Sequence, residues 1–303
     1  MASTPAPDMP YMHLVESTGE VKFSSPEVDY PLYIKALGNL KVSFGNTYEY
    51  SKDNVTWTSA TSSTSISATK GERVFFRASG LTASSSSGIG SFTISNGDCN
   101  VGGNIMSMVY GADFKGKTEI TQTYQFYRLF YSSSTIGGRI VDASGLALPA
   151  TTLTDYCYAY MFYNQHKITN APELPATTLA TSCYIYMFQG CTSLVNAPAL
   201  PATTLASRCY QYMFYGCTNL VNAPALPATK FANYCYQYMF QGCTSLNYIK
   251  AMFTTAPSTT YLQDWVSGVS ASGTFVKNSA ATWADTFGVS AIPEGWTVEL
   301  ADA

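Results

Sequence analysis

Charged side chains are scarce in this chain of 303 residues: they make up 12 % of it, about half the roughly 25 % usual in soluble domains. Lys and Arg number 16 against 19 Asp and Glu, so the net charge is −3. Without a basic excess we predict no nucleic-acid partner. Only two histidines occur, His13 and His166, which argues against histidine-rich metal sites. No run approaches the about 18 apolar residues of a membrane span, so we predict no membrane insertion.

Apolar and aromatic residues are plentiful instead, at 46 % and 14 %, with 23 tyrosines. A packed core is therefore expected, and a neutral, hydroxyl-rich surface suits a binding protein better than an enzyme. Residues 1–10 carry no basic segment followed by an apolar one. We expect either export by another route, such as inside a phage particle, or a signal removed before this sequence begins.

An internal repeat dominates the second half of the chain. Leu-Pro recurs at 148, 174, 200 and 226, and Met-Phe at 161, 187, 213 and 239, always 26 residues apart. The clearest unit is LPATTLASRCYQYMFYGCTNLVNAPA. The apolar spacing of Cys183, Met187 and Cys191 predicts a short helix in each unit. The residues after Leu194 predict a short strand, and the Thr-Thr pairs are expected to cap the helix.

These elements predict a fold with three parts. One helix and one strand per unit predict a curved leucine-rich-repeat solenoid of about 26-residue repeats over 121–250. Residues 1–120 predict an antiparallel β-sandwich with an N-terminal arm, from short strands at 40–44, 55–58, 64–68, 72–78 and 91–95. Residues 251–303 are predicted to form a C-terminal cap, in which Trp265, Trp283 and Trp296 pack.

The repeated run CY-x-YMF-x-GCT-[SN]-LVNAPALPATTLA resembles the BspA-like leucine-rich repeats of Bacteroidales surface proteins, which also occur in proteins of their phages. The resemblance covers about residues 124–250. It implies a non-catalytic surface protein used in adhesion, host binding or virion appendages, and it carries over no catalytic residue.

Cysteine and carboxylate patterns give no sign of catalysis or of a metal. Cys183 and Cys191 do not have the C-x2-C spacing of common zinc sites, and we expect a column of buried free thiols. Between Glu173 and Lys230 the only charged residue is Arg208, so the repeats lack the paired acids of a glycosidase. We predict no catalytic residue, no metal and no cofactor.

Tyrosines outside the predicted apolar stripe form the candidate binding site. Tyr160, Tyr186, Tyr212 and Tyr238 recur in one column and are expected to be exposed, with Gln211 and Gln237 beside them. Tyrosine suits recognition because it combines apolar area with a hydroxyl group. The alternative is that these rings only shield each other and stiffen the array.

Three functional hypotheses follow. The first is a non-enzymatic recognition protein on a virion surface, a fibre or a capsid or tail decoration. Its N-terminal domain would bind other virion proteins, and its repeats a protein or glycan on a bacterial or host surface. The second is a Bacteroidales cell-surface adhesin, extracellular after removal of its signal. The third is a carbohydrate-active enzyme using acids of the first domain, such as Glu49, Asp53, Glu72 and Asp98. A fibre would be a homo-oligomer, although no heptad pattern supports one.

Overall fold

Strands and turns account for nearly all of the regular structure. A computed structural model describes residues 26–133 and 137–301, and the arm with His13 lies outside them. Within these residues there are twelve strands, two 3-10 turns at Pro26–Asp29 and Gly111–Asp113, and one α-helix, α1, at Ser107–Tyr110. The strands are β1 Tyr33–Ala36, β2 Leu40–Phe44, β3 Tyr48–Ser51, β4 Thr58–Ala60, β5 Ile66–Ala68, β6 Arg73–Arg77, β7 Phe92–Ser95, β8 Cys99–Asn104, β9 Ile140–Ala147, β10 Tyr248–Ala251, β11 Thr274–Lys277 and β12 Thr297–Leu300.

The strands form three sheets. The first has the order β4-β3-β6-β1-β8-β9, the second β5-β2-β7 and the third β10-β11-β12. Pairing is antiparallel in the second sheet and parallel in the third. The first sheet is mixed, because β8 and β9 run parallel. Alternation of buried and exposed residues explains β2, in which Leu40, Val42 and Phe44 face the core.

The predicted fold class is wrong. We expected a sandwich followed by a leucine-rich-repeat solenoid with a helix in every unit, whereas the described residues form three sheets. Their single helix, α1, has four residues and lies before the repeats. The apolar spacing that predicted the helix has a period of four, and it reflects successive turns. In each unit every fourth residue has a left-handed backbone, as at Ser182, Tyr186 and Gly190, and an α-helix tolerates no such residue.

Successive repeats pair through a ladder of backbone hydrogen bonds, which we call the turn ladder (124–132, 156–164, 182–190, 208–216, 234–242 and 260–268). Two kinds of N–H alternate along each segment. The N–H of Tyr160 donates to the carbonyl of Ile185 in the next repeat at 2.9 Å, whereas that of Met161 closes a turn on Tyr158 at 3.3 Å. The threonine pairs that we expected to cap helices instead form parallel bridges, such as Thr152 with Thr178.

Flanking segments form backbone hydrogen bonds with both ends of the turn ladder. At its start, Ile89 and Phe92 donate backbone N–H groups to the carbonyls of Gln125 and Leu129. At its end, the N–H of Val266 donates to the carbonyl of Val289 at 3.2 Å. Neither end is therefore left as an open edge.

One cluster of buried side chains extends from Leu32 to Trp296 and includes the interior of every repeat. The packing expected for the C-terminal tryptophans is confirmed, since Trp265 and Trp296 are buried and Trp283 packs against this core. Nothing in the structure tests the domain limits 1–120, 121–250 and 251–303, which stay predictions.

Candidate ligand-binding face

The four predicted tyrosines form one stack on the surface of the turn ladder. Tyr160, Tyr186, Tyr212 and Tyr238 follow each other with ring centroids 4.5 Å apart at every step. The expected column is present, but its tyrosines are less exposed than expected: each ring is half-buried, because its face lies against the next ring. Part of each ring nevertheless stays exposed at the surface of the ladder.

Burial changes the acidity of these hydroxyl groups. It raises the pKa of Tyr160 to about 12 and that of Tyr186 to about 12, with smaller upward contributions from neighbouring tyrosines. The pKa of Tyr212 rises as well, for the same first cause. These three side chains therefore keep their protons at neutral pH, so that each can donate and accept a hydrogen bond.

The backbone of the tyrosine column is left-handed. The φ angles of Tyr160, Tyr186, Tyr212 and Tyr238 are 58°, 60°, 56° and 56°, a conformation that costs a bulky residue roughly 1–2 kcal/mol. Four residues further along each repeat, the equivalent left-handed positions hold residues that accept it readily: Asn164, Gly190, Gly216 and Gly242. Tyrosine at these four positions therefore acts against backbone preference.

The two glutamines of the predicted site lie in a buried row. Gln211 is 9 % exposed and Gln237 8 %. The side-chain amide of Gln211 donates to that of Gln237, which in turn donates to Oε1 of Gln263 at 2.5 Å. Gln263 donates to the Tyr238 hydroxyl at 3.0 Å. These amides hydrogen-bond to each other and to Tyr238, so Gln211 and Gln237 lie beside the tyrosines but are buried. Their contact with a ligand stays a prediction.

A second, partly exposed column runs beside the tyrosines. It holds Tyr163, Gln189, Tyr215 and Gln241. Tyr163 lies 5.5 Å from Tyr160 and Tyr215 lies 5.7 Å from Tyr212, between ring centroids. We call the two columns together, Tyr160, Tyr186, Tyr212, Tyr238, Tyr163, Gln189, Tyr215 and Gln241, the tyrosine face. All eight are tyrosines or glutamines, so each side chain has a hydroxyl or amide group that can donate and accept hydrogen bonds.

Two arginines flank this face, and neither was among the predicted site residues: Arg128 lies in the column of Tyr160, and Arg208 lies one turn away, four residues before Tyr212. Arg128 occupies the position before Tyr160 in the first column, and its guanidinium lies 5.0, 5.0 and 5.2 Å from the ring centroids of Tyr127, Tyr131 and Tyr160. Arg208 lies 5.2 Å from the ring of Tyr234. The signal was available for Arg208, the lone charge between Glu173 and Lys230. Arg128 was hidden in the most degenerate copy of the repeat.

The cysteines are structural. All eight are buried and free, which confirms the predicted column of free thiols. In three successive repeats the thiol donates to a carbonyl of the preceding repeat: Cys191 to Phe162, Cys217 to Phe188 and Cys243 to Phe214, at 3.2, 3.1 and 3.0 Å. In the first repeat Gln165 takes this place and donates to the carbonyl of Phe130 at 2.6 Å.

The four acids named for an enzymatic alternative are each held by partners. Glu49 pairs with Arg77 at 2.7 Å, and Asp98 with Lys167 at 2.7 Å. Backbone N–H groups of Thr56 and Val55 hold the pKa of Asp53 well below its usual range, and Thr69 lowers the pKa of Glu72. A catalytic acid needs the opposite shift. Asp53 and Glu72 are therefore poorly suited to that role.

Neither a metal site nor a membrane-spanning helix is found in the described part of the chain. No group of metal-ligating side chains occurs among residues 26–133 and 137–301. In the same residues no helix has the length and apolar character needed to cross a membrane. Comparison of the chain with protein-family models, curated proteins and solved structures finds no match.

Proposed function

We propose that this chain is a non-enzymatic recognition protein displayed on a surface, and that its tyrosine face contacts the ligand. In the version we favour, it is a phage virion component, a fibre or a capsid or tail decoration. The N-terminal sheets then attach it to other virion proteins, and the tyrosine face binds a protein or glycan on a host surface. The resemblance of residues 124–250 to the BspA-like repeats supports display on a surface.

The observation that carries the proposal is the regular tyrosine column itself. Four half-exposed rings repeat at 4.5 Å, each on a left-handed backbone that glycine or asparagine would adopt at less cost. Strained residues that persist against local preference are concentrated at functional sites. Tyrosine also gives large contact area at little loss of side-chain entropy, which suits recognition surfaces.

Binding is tested with the purified chain and a double variant, Tyr186→Ser with Tyr212→Ser. Serine is a fair replacement, because Ser182 already has a left-handed backbone with φ of 55° in the same repeat. Fluorescently labelled protein is applied to intact Bacteroidales cells and to an epithelial cell layer. We expect saturable binding of the unmodified chain to one of them and at least a tenfold loss in the variant. Equal retention of both proteins would refute the role of the face.

Attachment is tested separately, by mass spectrometry of purified phage particles and of outer-membrane fractions. The peptide CYQYMFYGCTNL, which spans Cys209–Leu220, serves as the marker. Detection in particles supports the virion version, and detection in the membrane fraction supports the adhesin instead. Its presence only in the soluble cell contents would contradict display on either surface.

A further inference from the structure

Within the described part of the chain, two guanidinium groups on the border of the tyrosine face have no carboxylate partner. Each of the seven ion pairs found within residues 26–133 and 137–301 joins other side chains, so neither Arg128 nor Arg208 pairs with a carboxylate there. Arginine side chains usually form ion pairs with carboxylates when acids are near. The groups beside Arg128 and Arg208 are tyrosine rings instead. Both positive charges are therefore left unneutralised beside an uncharged, hydrogen-bonding surface.

Arg128 is also held in place. Three tyrosine rings surround its guanidinium at 5.0–5.2 Å, and its Nε atom is buried without a hydrogen-bond partner. Cation–π contacts of this kind fix the orientation of the planar group while leaving its outer N–H donors free. Those donors match the two oxygens of a carboxylate, which arginine binds through two parallel hydrogen bonds.

The two arginines lie at different heights on the same ladder. Arg128 precedes Tyr160 in the first column, and Arg208 stands with Tyr234, three repeats after the segment that contains Arg128. With strand-like spacing of about 4.8 Å per repeat, about 14 Å of ladder separates them. Between them the face offers hydroxyl and amide groups that recur at each repeat. Such a surface matches a polymer whose own groups recur regularly.

We propose that the ligand is a carboxylate-bearing polysaccharide, whose acid groups bind Arg128 and Arg208 while its hydroxyls bond to the tyrosine face. This inference rests on the proposed function and gives the chemical class of the ligand. A polysaccharide is favoured over an acidic peptide because hydroxyl and side-chain amide groups both donate and accept, as sugar hydroxyls do. A poly-glutamate chain has no hydroxyl groups and no sugar rings, so it could not use the hydroxyl and amide groups of the tyrosine face in the same way.

The test measures binding of the full chain to three immobilised polysaccharides: polygalacturonate, hyaluronate and polysialate. Each is compared with its neutral, carboxyl-reduced form, and poly-glutamate is the peptide probe. The variants are Arg128→Gln and Arg208→Gln. The control is Lys117→Gln, which removes an equal charge from a lysine that also lies over a tyrosine ring, Tyr110, at 5.4 Å. Thermal unfolding of every variant is recorded in the same buffer.

We expect at least one acidic polysaccharide to bind, its neutral form to bind at least tenfold more weakly, and each arginine variant to lose about tenfold. The lysine variant should bind like the unmodified chain. The proposal is overturned if none of the three binds, if the neutral forms or poly-glutamate bind as well, or if Lys117→Gln loses as much. Arg208 is exposed, so its variant reports on binding even where Arg128→Gln unfolds.

Failure of this inference is distinguishable from failure of the proposed function. If no acidic polysaccharide binds but the Tyr186→Ser, Tyr212→Ser variant still loses attachment to cells, the recognition role stands and the ligand class is wrong. If the tyrosine variant also attaches normally, the role of the face is refuted as well.

Discussion

Aromatic rings are the principal packing units inside the turn ladder. Two further columns are fully buried, one of phenylalanines and one of tyrosines. Phe162, Phe188 and Phe214 stack 5.5 and 5.7 Å apart with nearly parallel planes. In the other column Tyr184 and Tyr210 stack at 5.9 Å. Each ring fills the space between the corresponding rings of its neighbours, so truncation leaves a cavity that the backbone ladder cannot close.

Truncation of a stacked phenylalanine should therefore destabilise the fold strongly. We expect Phe188→Ala and Phe214→Ala each to lower the free energy of unfolding by about 3–5 kcal/mol, the range for buried phenylalanines. The measurement is chemical denaturation at neutral pH. The matched control is Phe287→Ala, because Phe287 is 47 % exposed and should cost far less. Equal losses at buried and exposed sites would show that the stack is not a source of stability.

At the scale of the element, the four-residue turn takes the place of a helix. Its left-handed residues let the N–H groups alternate between the turn and the next repeat. Asn164, Gly190, Gly216 and Gly242 end four successive segments in this conformation, as expected for a left-handed position, although no helix precedes it.

The variant Gly216→Ala measures the free-energy cost of the left-handed backbone conformation. A Cβ added there meets nothing within 4 Å, and its φ is 70°, so Gly216→Ala tests conformation without a steric clash. We expect a loss of about 1–2 kcal/mol in unfolding free energy. A Cβ added at Gly38 also meets nothing within 4 Å, but Gly38 has no left-handed φ, so Gly38→Ala should change stability little. If both variants behave alike in denaturation, the left-handed turn is not a constraint.

Some of these elements could be predicted from the sequence, and others could not. The strands at 40–44 and 73–77 were predictable, because their side chains alternate or carry β-branched and aromatic residues. The repeats were predictable from exact recurrence. That the repeats form turns and not helices was not predictable, because the spacing of Cys183, Met187 and Cys191 fits both a period of 3.6 over two turns and a period of four. Only backbone angles separate the two.

For the candidate site, recurrence correctly aligned the tyrosine column, but it could not supply its surroundings. Exposure depends on whether rings stack, and stacking at 4.5 Å follows from the ladder spacing, which a helical interpretation does not contain. The burial of Gln211 and Gln237 was not predictable for the same reason. Arg128 was missed because an insertion separates its copy from the next one, so its register with Tyr160 appears only in the structure.

At the scale of the molecule, one buried core and one hydrogen-bonded ladder join the N-terminal sheets to the C-terminal segment. Many cysteine thiols and tyrosine hydroxyl groups are buried in that core. Burial raises the pKa of Cys157 and of Cys243 to about 12, and that of Cys235 to about 11. It also raises the pKa of Tyr158 and Tyr184 well above the usual value.

This enclosure predicts loss of stability in alkali. Below the unfolded cysteine pKa of about 8.5 both states are protonated, and stability is fully present. Above it the unfolded state loses protons that the folded state keeps, so stability falls by up to about 1.4 kcal/mol per pH unit for each such group. Tyrosines join above about pH 10. The urea midpoint should therefore stay level between about pH 6 and 8 and fall steeply above about pH 9. A level midpoint up to about pH 11 would contradict the burial of these groups.

The central claim is that tyrosine is found at these left-handed positions because it binds the ligand, and not because the backbone favours it there. The double variant Tyr186→Asn, Tyr212→Asn tests this claim most directly. Asparagine suits this backbone, as Asn164 shows with φ of 57°. Relief of about 1 kcal/mol of backbone strain at each of the two sites should offset part of the about 0.5–1.5 kcal/mol lost from each of their four ring contacts. Cell binding and the unfolding midpoint are measured on one preparation. The account predicts a midpoint within a few degrees of the unmodified chain and at least a tenfold loss of binding. A large fall in the midpoint, or unchanged binding, would contradict it.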